Sequence, residues 1–134
     1  MDASPRARRG SVENASILVV EDDRALRDFL DTALRDEFAV AVATNGDEAF
    51  DIAQIVEPDV VLLDVMLPGR SGLDVLRQFR ADPHLRGVRV LVMTAFSEID
   101  PDEAMAAGAD SFLAKPFDVE ELISAIKELL GNDR

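Results

Sequence analysis

Four short apolar runs in this chain each end on a polar residue. Ile17-Leu18-Val19-Val20 runs into Glu21 and Asp22, and Val60-Val61-Leu62-Leu63 into Asp64. Val90-Leu91-Val92-Met93 runs into Thr94, and Phe112-Leu113-Ala114 into Lys115. Runs this short, rich in Val, Ile and Leu, have the length of strands. The third and fourth strands, Val60 to Leu63 and Val88 to Met93, are nearly all apolar, as expected when both faces of a parallel sheet are covered. A carboxylate such as Asp64 at the end of a buried strand is costly unless it is paired or binds a cation. The Pro68/Gly69 turn that follows marks it as the mouth of a loop.

Helical stretches fill the gaps. Leu26, Phe29, Leu30, Ala33 and Leu34 recur at helical spacing and predict one apolar face, with Asp23 as N-cap. A strand over about Phe38 to Val42 follows. Asn45 caps a second helix with Ala49, Ile52, Ala53 and Val56 inward, ended by Pro58. After Gly72 a third helix points Leu73, Leu76 and Phe79 inward and stops near Pro83. Pro101 starts a short fourth helix that Gly108 ends. The last helix, about Val119 to Leu130, buries Leu122, Ile123, Ile126, Leu129 and Leu130, with Gly131 as its cap.

Five β-α units of this kind predict an α/β fold, an open doubly wound sheet built by right-handed crossovers. In the flavodoxin-like order 2-1-3-4-5 the first and third strands lie side by side at the topological switch point, outside whose carboxyl ends ligands bind. That order brings Glu21, Asp22 and Asp64 together, with Thr94 and Lys115 alongside. Residues 1–15, rich in Ser, Pro, Gly and Arg, read as a disordered tail, and 16–131 as the folded domain.

Composition narrows the function. The chain has no Cys, which excludes disulfides, thiolate metal sites and a Cys nucleophile. It carries a net charge of −13. Three Arg against two acids leave the first fifteen residues at +1 and the remainder at −14. Such a body repels phosphate backbones, so direct nucleic-acid binding is not expected. There is no span-length apolar run and no secretory h-region, so no membrane partner is expected and the cytoplasm is the default location.

Three carboxylates in one crevice raise one another's pKa unless a cation compensates. Mg²⁺ suits them, because it takes oxygen ligands and retains waters that a substrate can displace. Asp64 beside Mg²⁺ has the chemistry of an aspartyl-phosphate nucleophile. The phosphoryl oxygens would then need neutralising: one by the cation, one by Lys115, the third by the Thr94 hydroxyl and the Ala95 N–H.

Four motifs stand in order, ILVVEDD, VVLLDVMLPGRSGLDVL, VLVMTAF and GADSFLAKPF. On them the chain, from Ile17 to about Leu130, resembles the receiver domain of two-component response regulators, of the chemotaxis-regulator kind. The resemblance implies a phosphoacceptor at Asp64, loaded from the phosphohistidine of a sensor histidine kinase or phosphotransfer protein. It implies Asp22, Asp64 and the Met66 carbonyl as Mg²⁺ ligands, and Glu21 as the acid that contacts the metal through water. Lys115 and Thr94 match the phosphoryl-binding pair. Pro116 matches a cis-peptide position. Phe112 matches the aromatic switch that turns inward as Thr94 moves, changing the surface of helix four, strand five and helix five for a downstream protein or a weak dimer. The activity implied is self-catalysed transfer and slow autodephosphorylation, not enzymatic turnover.

Some positions depart from the family's common patterns. Phe96, where a polar side chain can position the hydrolytic water, predicts slow self-dephosphorylation. Ala125 and Ser111 stand where the winged-helix DNA-binding branch usually has an Arg and an Asp that support its dimer. The rival readings are weaker. A phosphatase of the haloacid dehalogenase type needs a second Asp where Met66 stands. A flavodoxin needs a Ser/Thr/Gly phosphate loop where Glu21-Asp22-Asp23 stands. A degenerate pseudo-receiver would lack one of Asp22, Asp64, Thr94 or Lys115. His84 reads as a surface residue, not a ligand. The chain is expected to be either a stand-alone receiver or a piece of a longer DNA-binding regulator.

Overall fold

The computed structural model describes residues 14–95 and 99–131. Five strands, β1 (Ser16–Val20), β2 (Ala39–Ala43), β3 (Val60–Asp64), β4 (Arg89–Thr94) and β5 (Ser111–Ala114), alternate with five helices. The helices are α1 (Arg24–Leu34), α2 (Gly46–Val56), α3 (Gly72–Ala81), α4 (Pro101–Ala106) and α5 (Val119–Gly131). The sheet is parallel throughout, in the order β2-β1-β3-β4-β5. This is the doubly wound flavodoxin-like fold that the alternation predicts.

β1, β3 and β4 are buried at every position, as unalternating apolar runs require. Successive residues supply opposite faces. Val61 and Leu63 pack with α2, α3 and α4, whereas Val60 and Leu62 pack with α1 and α5. Phe50 of α2 meets Phe79 of α3 edge to face, with ring centroids 6.1 Å apart.

The helix ends mostly follow their cap residues. Asn45 accepts from the Glu48 N–H, and Asp100 caps α4 with Pro101 next to it. Asp23 is the N-cap of α1 by position, but its side chain makes no capping bond. Gly72 is the first residue of α3 rather than its predecessor, because Ser71 caps the helix. Gly72 has a steric reason to be glycine. Its N–H donates to the Val65 carbonyl at 2.7 Å, and a Cβ there would overlap the Asp64 carbonyl oxygen and the Val65 Cα. Gly131 is the last residue of α5 rather than a cap beyond it.

Among the expected apolar faces one residue, Phe29, lies exposed, and Leu26, Ala33, Ile52 and Val56 are half-buried. Phe29 is 48% exposed, because the sheet covers only the Leu30 and Leu34 side of α1. Phe29 instead lines a recess of about 250 Å³ with Leu26, Lys115, Pro116 and Phe117. Ile123 is half-buried. Asn14 and Ala15, which composition assigns to the tail, are tied to the body. The Asn14 N–H donates to the Glu37 carbonyl, and Ala15 is buried. The rest of that tail and Phe96 lie outside the described residues. No helix among the described residues is long and apolar enough to cross a membrane.

Candidate functional site

The switch point lies between β1 and β3, which pair in register from Ile17–Val60 to Val20–Leu63. This pairing delivers the strand ends to one place. Glu21, Asp22 and Asp64 each present a carboxylate oxygen, and these oxygens all lie within 4.8 Å of one another. Glu21 and Asp64 are buried while Asp22 is exposed. β4 and β5 bring Thr94 and Lys115 to the same edge, where Thr94 pairs with Ala114 in the ladder.

Lys115 neutralises part of this charge. Its Nζ donates to Asp64 Oδ1 at 3.1 Å and stands 3.8 Å from Glu21 Oε1. The second distance is too long for a hydrogen bond, and Glu21 Oε1 is buried with no donor among the described residues. Glu21 Oε2 accepts from the Asp23 N–H at 3.1 Å. Burial pushes the Glu21 carboxyl up from its ordinary 4.5 to about 7. The Asp23 N–H opposes that rise, the Asp64 carboxylate adds to it, and Lys115 opposes it.

The remaining expected residues sit as follows. Asp64 Oδ1 also accepts from the Met66 N–H at 3.3 Å, so the loop after β3 curls back over the carboxylate. The Met66 side chain points largely to solvent, 57% exposed. The Thr94 hydroxyl donates to the Ala95 carbonyl at 2.9 Å. Phe112 is half-buried against the core on the α2, α3 and α4 side. The Lys115–Pro116 peptide is cis. His84 lies on the surface after α3, with Nδ1 2.7 Å from Gln54 Oε1 and Nε2 2.7 Å from Glu57 Oε2. It therefore ties the loop to α2, well apart in sequence from the acidic cluster.

Sequence reasoning missed one contributor. Arg27, one turn into α1, donates from Nη1 to the carbonyls of Glu21 at 3.1 Å and Asp22 at 3.2 Å. Nothing in its spacing separates it from a solvated surface arginine.

These residues fit a divalent cation. The donor set is all oxygen, and one of its oxygens is buried without a hydrogen bond. Uncompensated, the three carboxylates repel, and the single ammonium of Lys115 balances only part of their charge.

Comparison with known proteins agrees with this arrangement. The chain is 40% identical over 116 residues to the DNA-binding response regulator MtrA of Mycobacterium tuberculosis (strain ATCC 25618 / H37Rv), a match covering 85% of this chain and 50% of that relative. It spans about half the length of the curated relatives it matches. Chemotaxis response regulator CheY4 of Vibrio cholerae superposes with a TM-score of 0.80 at 29% identity, covering 87% of this chain and 98% of that one. The receiver domain of sensor histidine kinase PA1611 from Pseudomonas aeruginosa PAO1 superposes with a TM-score of 0.82 at 29% identity, over 89% of this chain and 99% of that one. That structure holds a magnesium ion in its active-site cleft. Residues 17–127 match the response regulator receiver domain, and the chain belongs to that family.

Proposed function

We propose that Asp64 is the phosphoacceptor of a two-component or phosphorelay system. The observation that carries this reading is the convergence at Asp64. It is buried at a strand end, ion-paired to Lys115 and within 4.8 Å of two further carboxylates. A structural core offers no reason to gather three acids around one lysine.

In this reading a carboxylate oxygen of Asp64 attacks the phosphorus of a phosphohistidine. The new O–P bond forms as the P–N bond breaks, and the imidazole nitrogen keeps the electron pair. Asp22, Asp64 and the Met66 carbonyl would hold Mg²⁺, with Glu21 reaching it through water. The bound ion supplies positive charge for the phosphoryl oxygens. Lys115 moves its ion pair from Asp64 to a phosphoryl oxygen. The Thr94 hydroxyl gives up the Ala95 carbonyl and donates to another phosphoryl oxygen, as does the Ala95 N–H. Phe112 follows the space that Thr94 leaves, which alters the α4-β5-α5 surface. That surface is the one a downstream protein, or weakly a second copy, would read.

The partner on the input side is a sensor histidine kinase or phosphotransfer protein, and the place of work is the cytoplasm. The folded unit that does it is residues 16–131. A second reading makes this receiver the input half of a DNA-binding regulator, and it is favoured by the names and lengths of the curated relatives.

Incubation with acetyl phosphate and Mg²⁺ tests the site. The expected result is a mass increase of one phosphoryl group, lost in Asp64→Asn and in the presence of a chelator. A folded wild type that gains no mass would reduce the chain to a pseudo-receiver.

A further inference from the structure

The loop that carries Glu21 and Asp22 has little of its own to hold it. β1 ends at Val20 and α1 begins at Arg24. Between them the backbone is anchored by the Glu21 N–H on the Ala43 carbonyl, by the Asp23 N–H on Glu21 Oε2 and by the Arg27 N–H on the Asp23 carbonyl. Asp22 is exposed, so packing does not orient it. The carbonyls of Glu21 and Asp22 are held by a side chain of the next element. Arg27 spans the carbonyls of Glu21 and Asp22 with one Nη1, at 3.1 and 3.2 Å.

From these two bonds we infer that Arg27 is a positioning residue for cation binding. It locks two consecutive peptides so that their carboxylates stay converged on Asp64. The inference rests on the reading of Glu21, Asp22 and Asp64 as a Mg²⁺ site. Groups that hold metal ligands in place from outside the coordination sphere set affinity as well as geometry.

Arg27 is also a cation near an acidic pocket, and this second effect has the opposite sign. A positive charge beside the site repels Mg²⁺, so removing it by charge alone would tighten binding. Positioning requires that removal weaken it. The sign of the change therefore separates the two. Arg24, a turn earlier, serves as the control: it pairs with Asp28 on the helix surface at 3.7 Å, with both side chains well exposed.

The experiment is calorimetric titration of Mg²⁺ into wild type, Arg27→Met, Arg27→Lys and Arg24→Met at pH 8, with thermal midpoints measured in EDTA. The expected result is about tenfold weaker Mg²⁺ binding in Arg27→Met. Arg27→Lys, which keeps a donor at that place on the helix, falls between. Arg24→Met binds as wild type does or slightly tighter, and the midpoint of Arg27→Met in EDTA stays within a few degrees of wild type. Unchanged or tighter binding in Arg27→Met overturns the inference, as does an equal loss in Arg24→Met. A wild type that binds no Mg²⁺ overturns instead the reading of the site on which the inference stands.

Discussion

Glu21 and Asp22 are neighbours in sequence and opposites in environment. Asp22 faces water, while Glu21 is buried with its carboxyl raised to about 7. An acid whose pKa is raised on folding binds more protons in the native state between its two pKa values. Stability therefore falls as pH climbs from about 4.5 to about 7, and the full cost stands above that. In EDTA the thermal midpoint should drop between pH 5 and pH 8, and Glu21→Gln should flatten that part of the curve. Identical pH profiles for wild type and Glu21→Gln would contradict this account. Gly72 makes a second prediction at this scale. An added Cβ must push against the Asp64–Val65 backbone, so Gly72→Ala should cost about 1–3 kcal/mol by chemical denaturation. The same push would displace the loop beside Asp64 and slow phosphorylation by acetyl phosphate. At Phe96 the sequence alone speaks. Lifetimes of the phosphorylated form should shorten in Phe96→Glu, and an unchanged lifetime would remove the explanation.

At the scale of elements, periodicity was a good guide to which helices exist and a poorer one to how far each face is covered. The spacing in α1 cannot tell Phe29 from Leu30, because both lie within the same apolar arc. The helix buries Leu30 and Leu34, and Phe29 remains 48% exposed. Arg80 makes the complementary point. It reads as a polar residue near the end of α3, yet it ties three segments together. Nε donates to the Gly108 carbonyl at 2.9 Å and Nη1 to the Val88 carbonyl at 2.6 Å. Nη2 pairs with Asp110 at 2.9 Å, and Asp110 also accepts from the Val90 N–H. Arg80 thus joins α3 to the α4–β5 turn and to the start of β4. Both partners keep some solvent exposure, so Arg80→Ala should cost about 2 kcal/mol, less than a fully buried pair would. A loss below a few tenths would make the network ornamental.

Across the whole molecule, the acidic surface and the α4-β5-α5 face set expectations for assembly. A body carrying −14 outside its first fifteen residues repels its own copies at low salt. Ala125 of α5 and Ser111 of β5 bring no charged side chain to that face. Protein loaded with beryllofluoride should therefore sediment as a monomer at micromolar concentration, and a tight dimer would refute this. The architecture, the strand order and the convergence of Glu21, Asp22, Asp64, Thr94 and Lys115 on one sheet edge were all legible beforehand. The alternation and the open doubly wound sheet follow from period and crossover handedness, and the strand order from the flavodoxin-like pattern that such a chain matches. Other features depended on distances between segments remote in sequence. These include the unbonded oxygen of Glu21, the arginine that bridges two carbonyls, the three-way grip of Arg80 and the side on which Phe29 emerges. Sequence determined which groups meet, because parallel pairing delivers strand ends to a common edge. Tertiary structure decided which of them are dry, paired or held, because burial and hydrogen-bond geometry arise only once the helices close over the sheet.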